Sequence, residues 1–187
     1  MPSIRSFIAL PTPDTVKSDI SRIQLELKQE HAEVKWESAE KFHITLKFLG
    51  NVKLQVLEKL IPALQTTLQH TPPFELIYQS IGAFPTMDKP RVIWVGAMIN
   101  DSILSLHKSI DELCEQFGFA KDDRSFHPHI TLGRVKKDRN ILSLTEKLKN
   151  LTFVPTNSRC TELLVMRSDL HPSGSAYTVV QSIPLKS

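Results

Sequence analysis

The chain has 187 residues, of which 41% are hydrophobic and 23% charged, and 23 Lys and Arg against 20 Asp and Glu give a net charge of +3. This composition is typical of globular proteins and excludes an intrinsically disordered chain. Two cysteines are too few for a disulfide-stapled secreted module. No apolar run reaches the roughly 20 residues of a membrane span, and the N-terminus does not resemble a signal peptide. We therefore expect a monomeric cytoplasmic protein, with one domain over residues 1–187 and no membrane partner.

The apolar patterns of the first part predict, in chain order, a strand over Ile4–Leu10, a helix that starts at Thr12-Pro13, a strand over Phe42–Leu49 that Gly50-Asn51 stops, and a helix between Leu57 and Leu68. Both helices rest on apolar residues spaced three and four apart, which share one helix face. Pro62 lies inside the second helix and predicts a kink or break, because proline removes a backbone hydrogen bond.

The remaining patterns predict strands over Phe74–Ile81 and Arg91–Ile99, a helix capped by Asn100 or Asp101 and ended by Gly118, a strand over His129–Val135, a helix over Asp138–Lys149, and strands over Thr161–Arg167 and Ala176–Ile183. A turn at His171-Pro172-Ser173-Gly174 separates the last two strands. Several neighbouring strands are joined by loops too short for parallel crossovers. The sequence therefore predicts an α+β fold with antiparallel sheets. No glycine-rich loop of the usual nucleotide-binding kinds is present.

One tetrapeptide occurs twice: His43-Ile44-Thr45-Leu46 returns as His129-Ile130-Thr131-Leu132. Side chains alternate between the two faces of a strand. Each copy therefore displays an imidazole and a hydroxyl on one polar face, about 7 Å apart, with apolar anchors behind them. By the same alternation, Lys47 shares the face of the first histidine and His127 shares that of the second.

Two such units suit in-line displacement at phosphorus. A neutral imidazole takes a proton from the attacking water, while a protonated imidazole on the opposite side donates to the leaving oxygen. Threonine hydroxyls can donate to the non-bridging oxygens, where charge builds up. A zinc site needs three or four ligands, which this pattern does not supply. We therefore expect no metal and no cofactor. The symmetric repeat does not decide which histidine is the acid.

With these motifs, the sequence resembles the two-histidine phosphoesterase superfamily over nearly its whole length. Within it, the chain is most similar to the RNA 2′,3′-cyclic phosphodiesterases, also called 2′-5′ RNA ligase-like proteins. The segments that carry the resemblance are Arg5–Leu10, Lys35-Trp36, Phe42–Gly50, Phe84-Pro85, Pro90–Gly96, Phe126–Arg134, Ser168, Tyr177 and Pro184-Leu185.

The resemblance implies a bilobal fold, with two pseudo-symmetric antiparallel sheets backed by helices and a cleft between them. It implies that His43 donates a proton to the leaving 3′-oxygen and that His129 accepts one from water. Thr45 and Thr131 would hold the phosphate, and Arg134 matches an arginine of the family. The implied reaction opens a 2′,3′-cyclic phosphate at an RNA 3′ end to a 2′-phosphate. The family can also join RNA ends through a 2′-5′ linkage.

Three alternatives stay open at this point. The same fold could act on small nucleoside 2′,3′-cyclic phosphates or 2′-5′ oligonucleotides. The chain could be a non-catalytic RNA-binding module that retains both motifs. It could also be a zinc hydrolase that uses His127 and His129. A polymeric RNA partner predicts a basic track beyond the two motif histidines, for which the candidates are Arg134, Lys136, Lys137 and Arg139.

For the remaining candidates, a role in the site depends on the direction in which each side chain points. In a regular strand, Arg134 points away from Thr131, which counts against a role in the site unless the strand ends at Gly133. Lys47 is expected either to contact substrate or to carry a solvated charge. Phe7 and Phe48 could stack a base, but core packing is the preferred interpretation for both. Trp94 is expected in the core or at the interface of the two lobes.

Overall fold

The fold is described by a computed structural model that covers residues 2–172 and 174–186. The strands are β1 Ser3–Pro11, β2 Val34–Trp36, β3 His43–Lys53, β4 Phe74–Pro85, β5 Pro90–Ala97, β6 His129–Val135, β7 Thr156–Cys160, β8 Glu162–His171 and β9 Gly174–Pro184. The helices are α1 Asp14–Lys28, α2 Leu54–Leu68, α3 Asp101–Gln116 and α4 Ile141–Asn150, with a short 3₁₀ turn at Ala39–Lys41.

All strand pairings are antiparallel, which confirms the expected α+β class. The strands form one nine-stranded sheet in the order β7-β4-β5-β6-β3-β1-β8-β9, and β2 pairs with β6. β3 and β6, which carry the repeated motifs, meet in the middle of this order. Among the described residues they pair at one position, Ile44 with Ile130. The two expected sheets are therefore two halves of one sheet, joined at the motifs.

Helices cover one face of this sheet. The predicted stripes of α1 and α2 are buried there, together with Ile44 and Ile130, which are both fully buried. Asn100 caps α3, as predicted, by accepting a hydrogen bond from the Ile103 backbone N–H at 3.0 Å. The polar residues of the two motifs lie on the opposite face. None of the helices in residues 2–172 and 174–186 is long and apolar enough to cross a membrane.

Pro62 does not break α2, which runs unbroken from Leu54 to Leu68. The carbonyl that proline leaves without a partner belongs to Glu58, four residues earlier. Both Pro62 and Glu58 are exposed, so water can satisfy that carbonyl. The expectation of a break was wrong because the proline sits on the solvent side of the helix.

Other differences arise where strand pairing overrides the local sequence. β3 does not stop at Gly50-Asn51 but continues to Lys53, because a bulge at Leu49 leaves Gly50 paired with Ser6 and the pairing with β1 continues. β2 is three residues long and β7 reads Thr-Asn-Ser-Arg-Cys, so neither shows the apolar alternation that predicts a strand. In the predicted turn between β8 and β9, His171 pairs with Gly174, while Ser173 lies outside the described residues.

Two further bulges lie at the last residue of each of the two motifs. Ala9 pairs with Thr45 and Ile8 with Lys47, so Leu46 is an extra residue in β3. The same shift in the pairing of β5 with β6 makes Leu132 an extra residue. A bulge of one residue reverses the faces of all the residues that follow it. Beyond each motif, the alternation that the sequence predicts is therefore inverted.

The bulge turns Lys47 into the protein interior, where its side chain is 2% exposed. Its ammonium group donates hydrogen bonds to the carboxylate of Asp111 on α3 and, at 2.7 Å, to the carbonyl oxygen of Ala120. It also lies 3.2 Å from Asp122 Oδ2. Lys47 therefore neither faces the substrate side nor carries a solvated charge, and both expectations for it were wrong.

This ion pair is charged at neutral pH. Burial alone would lower the pKa of Lys47, but hydrogen bonds to Asp111 and Asp122 outweigh burial and raise it. Burial would likewise raise the pKa of Asp111, and the hydrogen bond from Lys47 outweighs it and lowers that pKa. Ala120 and Asp122 belong to the segment that leads from α3 to β6. The strand of the first motif thus anchors the segment that leads into the second.

Lys47→Met should reduce the free energy of unfolding by about 3–5 kcal/mol, because it leaves Asp111 as an unpaired buried carboxylate. Urea unfolding followed by circular dichroism measures this loss. Lys53→Met, which removes an exposed lysine from the same strand, is the matched control and should be nearly neutral. Lys47→Met combined with Asp111→Leu should recover part of the loss. Equal stability of Lys47→Met and Lys53→Met would contradict this account.

Candidate active site

The pairing of Ile44 with Ile130 places the four polar motif residues together. In an antiparallel pair, the residue before one partner lies beside the residue after the other. His43 therefore lies beside Thr131, and Thr45 beside His129. All four side chains are half-buried on the helix-free face of the sheet. The two motifs are thus related by an approximate two-fold axis through the isoleucine pair, with one imidazole on each side of it.

The His43 ring is held by the chain that enters β3. Its Nδ1 lies 2.7 Å from the carbonyl oxygen of Lys41. A carbonyl can only accept, so Nδ1 carries the hydrogen and donates it. The other nitrogen, Nε2, lies 3.1 Å from Thr45 Oγ1 and faces the centre of the four residues. In the neutral ring, Nε2 has a free lone pair and accepts from the threonine hydroxyl.

His129 is anchored in the same way. Its Nδ1 lies 2.7 Å from the carbonyl oxygen of His127, again two residues earlier in the chain. The same tautomer follows, with the hydrogen on Nδ1 and the lone pair on Nε2. Both rings can therefore accept a proton at Nε2 when neutral and donate one from Nε2 when charged. This is the equipment for paired general acid and base catalysis.

Without a ligand, both histidines have a pKa below the usual 6.5, which favours the neutral imidazole. Burial lowers the pKa of His43 below its usual 6.5, against the hydrogen bond to Lys41, and the charge of His129 lowers it further. Burial also lowers the pKa of His129, against the hydrogen bond to the His127 carbonyl, and repulsion from the His127 ring and from Arg134 lowers it further.

Arg134 lies on the same side of the sheet as the motif side chains, although β6 does not end at Gly133. The bulge at Leu132 inverts the alternation, so Arg134 follows Thr131 onto the helix-free face and is exposed there. Its charge adds to the effect of burial in lowering the pKa of His129. The expectation that Arg134 points away from the site was wrong, because it assumed a regular strand.

Aromatic rings surround His43. The Phe7 ring lies 4.8 Å from the imidazole and the Tyr177 ring 5.3 Å, measured between ring centroids. Tyr177 belongs to β9, three places from β3 in the sheet order, so this contact shows how strongly the sheet curls. Phe7 is 3% exposed, as expected for a packed residue, but it packs on the side of the motifs. Tyr177 is part of the family resemblance, but no role was predicted for it from the sequence.

Phe48 occupies the position in β3 that Arg134 occupies in β6, five residues after the motif histidine. The bulge at Leu46 brings it out of the core, and it is 67% exposed. Core packing was therefore the wrong interpretation of this residue. Its ring centroid lies 6.1 Å from that of Phe7.

A second aromatic group borders His129. Phe84 and Trp94 approach its ring, with centroid separations of 5.1 Å and 6.3 Å. The indole of Trp94 lies over Gly82, where an added Cβ would stand only 2.2 Å from a ring atom. Its Nε1 is buried and has no hydrogen-bond partner within the described residues. Trp94 thus lines the site beside His129 and is not a residue of the helix-packed core.

Further lysines lie at the rim of the site. Lys35 pairs with Arg134 across β2 and β6. The side chains of Lys35 and Lys41 both reach Gly174. A Cβ atom added to this glycine would stand 2.9 Å from Lys35 Nζ and 3.7 Å from Lys41 Nζ. Two lysines thus meet at the hairpin turn of β8 and β9. Lys137 is one of the four residues of the basic track that the sequence predicts. It forms a 3.2 Å salt bridge with Glu33.

The His127 and His129 rings, the two ligands of the zinc alternative, have centroids 5.8 Å apart. Over the ranges that the structure describes, no three His, Cys, Asp or Glu side chains are grouped so as to hold a metal ion. The site therefore supplies two of the ligands that a zinc hydrolase needs and not the third.

Comparisons with known proteins agree with this geometry. The family model of the 2′-5′ RNA ligase superfamily matches residues 12–172. A protein of Methanothermobacter thermautotrophicus named RNA 2′,3′-cyclic phosphodiesterase is 35% identical over 94% of this chain and 95% of its own length. A protein of the same name from Methanocaldococcus jannaschii is 33% identical over 95% of this chain and 99% of its own.

Solved structures share the fold. The crystal structure of TT0787 of Thermus thermophilus has a TM-score of 0.81 at 23% identity, covering 97% of this chain and 98% of its own. Escherichia coli LigT complexed with 3′-AMP has a TM-score of 0.79 at 22% identity over the full length of both chains. The family model and the relatives above 30% identity cover most of the sequence, and the chain belongs to the 2′-5′ RNA ligase superfamily.

Proposed function

We propose that this protein is an RNA 2′,3′-cyclic phosphodiesterase that opens a cyclic phosphate at an RNA 3′ end and leaves a 2′-phosphate. The observation that carries the proposal is the pair of imidazoles on one face of the sheet, each anchored through Nδ1 to a backbone carbonyl so that Nε2 is left for proton transfer. The relatives named RNA 2′,3′-cyclic phosphodiesterase support the choice of substrate.

The proposed reaction is one in-line displacement. His129 Nε2 takes a proton from water as its oxygen attacks phosphorus. The bond from phosphorus to the 3′-oxygen breaks on the opposite side, and His43 Nε2 gives that oxygen its proton. The hydroxyls of Thr45 and Thr131 donate to the non-bridging oxygens, where negative charge develops. Protons balance, because one enters at His129 and one leaves from His43. The route uses no metal ion or cofactor.

Local charge supports this division of roles. Burial is the main cause that lowers the pKa of His129, and the positive charge of Arg134 lowers it further, which suits a group that must start neutral as a base. The causes that lower the pKa of His43 are burial and repulsion from the His129 ring, with no arginine among them. Arg134 is also the cation best placed to pair with the phosphate, since a guanidinium donates two parallel hydrogen bonds to such oxygens.

The lysines at the rim favour an RNA end over a small cyclic nucleotide. Lys35 and Arg134 extend positive charge beyond the four motif residues, as backbone phosphates of a polymer require, while Lys41 lies 3.8 Å from the carboxylate of Glu37. A pocket for one nucleotide needs no such extension.

We further propose that residues 1–187 act as a single two-lobed domain, as a monomer in the cytoplasm.

His43→Ala and His129→Ala should each reduce turnover by about 100-fold or more, because each removes a positioned proton transfer. The assay uses a short RNA with a 2′,3′-cyclic phosphate in excess EDTA, with product mass and phosphatase sensitivity as readouts. His70→Ala, which removes an exposed histidine, is the control and should keep full activity. Circular dichroism should show unchanged folding for all three.

The same assay separates the alternatives. A 2′-phosphate product supports the proposal, and a 3′-phosphate product would make the 2′-oxygen the leaving group. Activity that EDTA abolishes and zinc restores would favour the zinc hydrolase. Binding of RNA that survives both substitutions, without turnover by the unaltered protein, would identify a binding module. Near-normal rates in either alanine variant would exclude the two-histidine mechanism.

The pH dependence of kcat/KM should be bell-shaped, with its maximum below the usual histidine pKa of about 6.5. The reason is that the pKa values of both His43 and His129 are lowered in the free protein, so the singly protonated pair exists only at acidic pH. A bound phosphate anion favours the charged imidazole and raises these pKa values. The maximum of kcat should therefore lie at higher pH than that of kcat/KM. A kcat/KM maximum above about pH 7.5 would contradict the lowered pKa values.

Arg134→Ala should lower kcat/KM about 10- to 100-fold, as expected for the loss of a charge-assisted hydrogen bond to phosphate. It should also move the kcat/KM maximum to higher pH, because the guanidinium no longer lowers the pKa of His129. Arg22→Ala is the matched control, since Arg22 is an exposed arginine on α1, on the other side of the sheet. A lower rate with an unmoved pH profile would place Arg134 away from His129.

A further inference from the structure

The proposed reaction determines where the nucleoside lies, and this inference rests on that reaction. The oxygen that leaves is the 3′-oxygen of the ribose, and His43 protonates it. The attacking water enters from the opposite side, beside His129. The ribose and its base therefore lie on the His43 side of the phosphate. Any surface that recognises the base should belong to that half of the site.

Three aromatic side chains lie on that side, and they differ in accessibility. Phe7 is buried at 3% exposure and Tyr177 is half-buried beside it. Phe48 is 67% exposed. Because a base can stack only on a ring face that solvent reaches, Phe48 offers the available surface. The aromatic group beside His129 borders the path of the attacking water, where this substrate has no base.

Phe48 is also within reach of a nucleotide. The ring centroids of His43 and Phe7 lie 4.8 Å apart, and those of Phe7 and Phe48 lie 6.1 Å apart. The Phe48 ring is therefore at most about 11 Å from the imidazole. A nucleotide spans a comparable distance from the scissile phosphate, through the ribose, to the base. The rings of His43, Phe7 and Phe48 thus form a row that leads away from the scissile phosphate.

The comparison of the two motifs strengthens this assignment. Each is followed by a bulge that turns the residue five positions after the histidine onto the helix-free face. In β6 that residue is Arg134, whose cation suits the phosphate. In β3 it is Phe48, which carries no charge and offers a flat apolar ring. We propose that Phe48 is the platform on which the base of the terminal nucleotide stacks, and that it determines base preference in this enzyme.

The test compares Phe48→Ala with the unaltered protein on two substrates: adenosine 2′,3′-cyclic phosphate and ribose 2′,3′-cyclic phosphate without a base. Loss of one base–aromatic stack should lower kcat/KM for the adenosine substrate about 5- to 100-fold, mainly through KM. The rate on the base-free substrate should not change. Phe48→Trp should restore the adenosine rate. Leu142→Ala, which shortens a 78% exposed leucine on α4, should affect neither substrate.

Base preference provides a second readout. Stacking strength grows with ring size, so the unaltered protein should prefer adenosine to uridine 2′,3′-cyclic phosphate, and Phe48→Ala should reduce that preference. Equal effects of Phe48→Ala on the substrates with and without a base would overturn the inference, as would no effect on either.

A direct binding measurement keeps this inference separate from the proposed function. Titration calorimetry with adenosine 2′-phosphate and with ribose 2-phosphate measures the contribution of the base without turnover. Phe48→Ala should remove most of the affinity difference between the two ligands. If the unaltered protein binds both equally, the platform is absent. If it shows the difference but opens no cyclic phosphate, the proposed function fails and the platform stands.

Discussion

The backbone pairing of Ile44 with Ile130 is the contact on which the site depends. It joins the two halves of the sheet at their middle strands, and it is the position about which the two motifs are symmetric. Both isoleucine side chains are fully buried among the helices, so the strands cannot slide without exposing them. A shift by one residue would also turn the histidines into the core. Burial of two hydrophobic side chains thereby fixes the positions of two polar ones.

The bulges after the motifs make a symmetric pair of strands chemically unequal. Identical tetrapeptides place identical imidazoles and hydroxyls, but the next two residues differ between the copies. In β3 they are Lys47, which is buried in an ion pair, and Phe48, which is exposed. In β6 they are Gly133 and Arg134. The symmetric part supplies paired proton transfer, and the unequal part gives each histidine its own electrostatic and apolar surroundings.

The sequence predicted those features that depend on local periodicity. The stripes of the helices and the strands of both motifs follow from apolar spacing, and the Asn100 cap follows from its residue type. The structure has all of them. The orientation of Lys47, Phe48 and Arg134 did not follow from it. A bulge is set by how a strand aligns with its neighbour, and alternation within one strand carries no information about that alignment. The residues closest to the motifs were therefore the hardest to orient.

The contacts from Tyr177 to the His43 ring were beyond local reasoning for a related reason. They require the sheet to curl until its outer strand approaches a central one, and curling is a property of the whole sheet. The short strands β2 and β7 are likewise stabilised by partners distant in sequence, so their own residues carry little signal.

The matching anchors of the two imidazoles have a consequence for successive turnovers. At the end of the proposed hydrolysis, the proton has moved from one ring to the other, so the site is left in the mirror image of its starting state. Because both rings are held at Nδ1 by backbone carbonyls, neither needs to rotate for the next cycle, and exchange of protons with solvent at Nε2 restores the start. By microscopic reversibility, this end state is also the one from which the 3′-hydroxyl could attack phosphorus, with His43 as the base and His129 protonating the expelled oxygen. The same two rings can therefore serve ring opening and ring closure, and they serve ring opening equally whether the attacking hydroxyl belongs to water or to an RNA end.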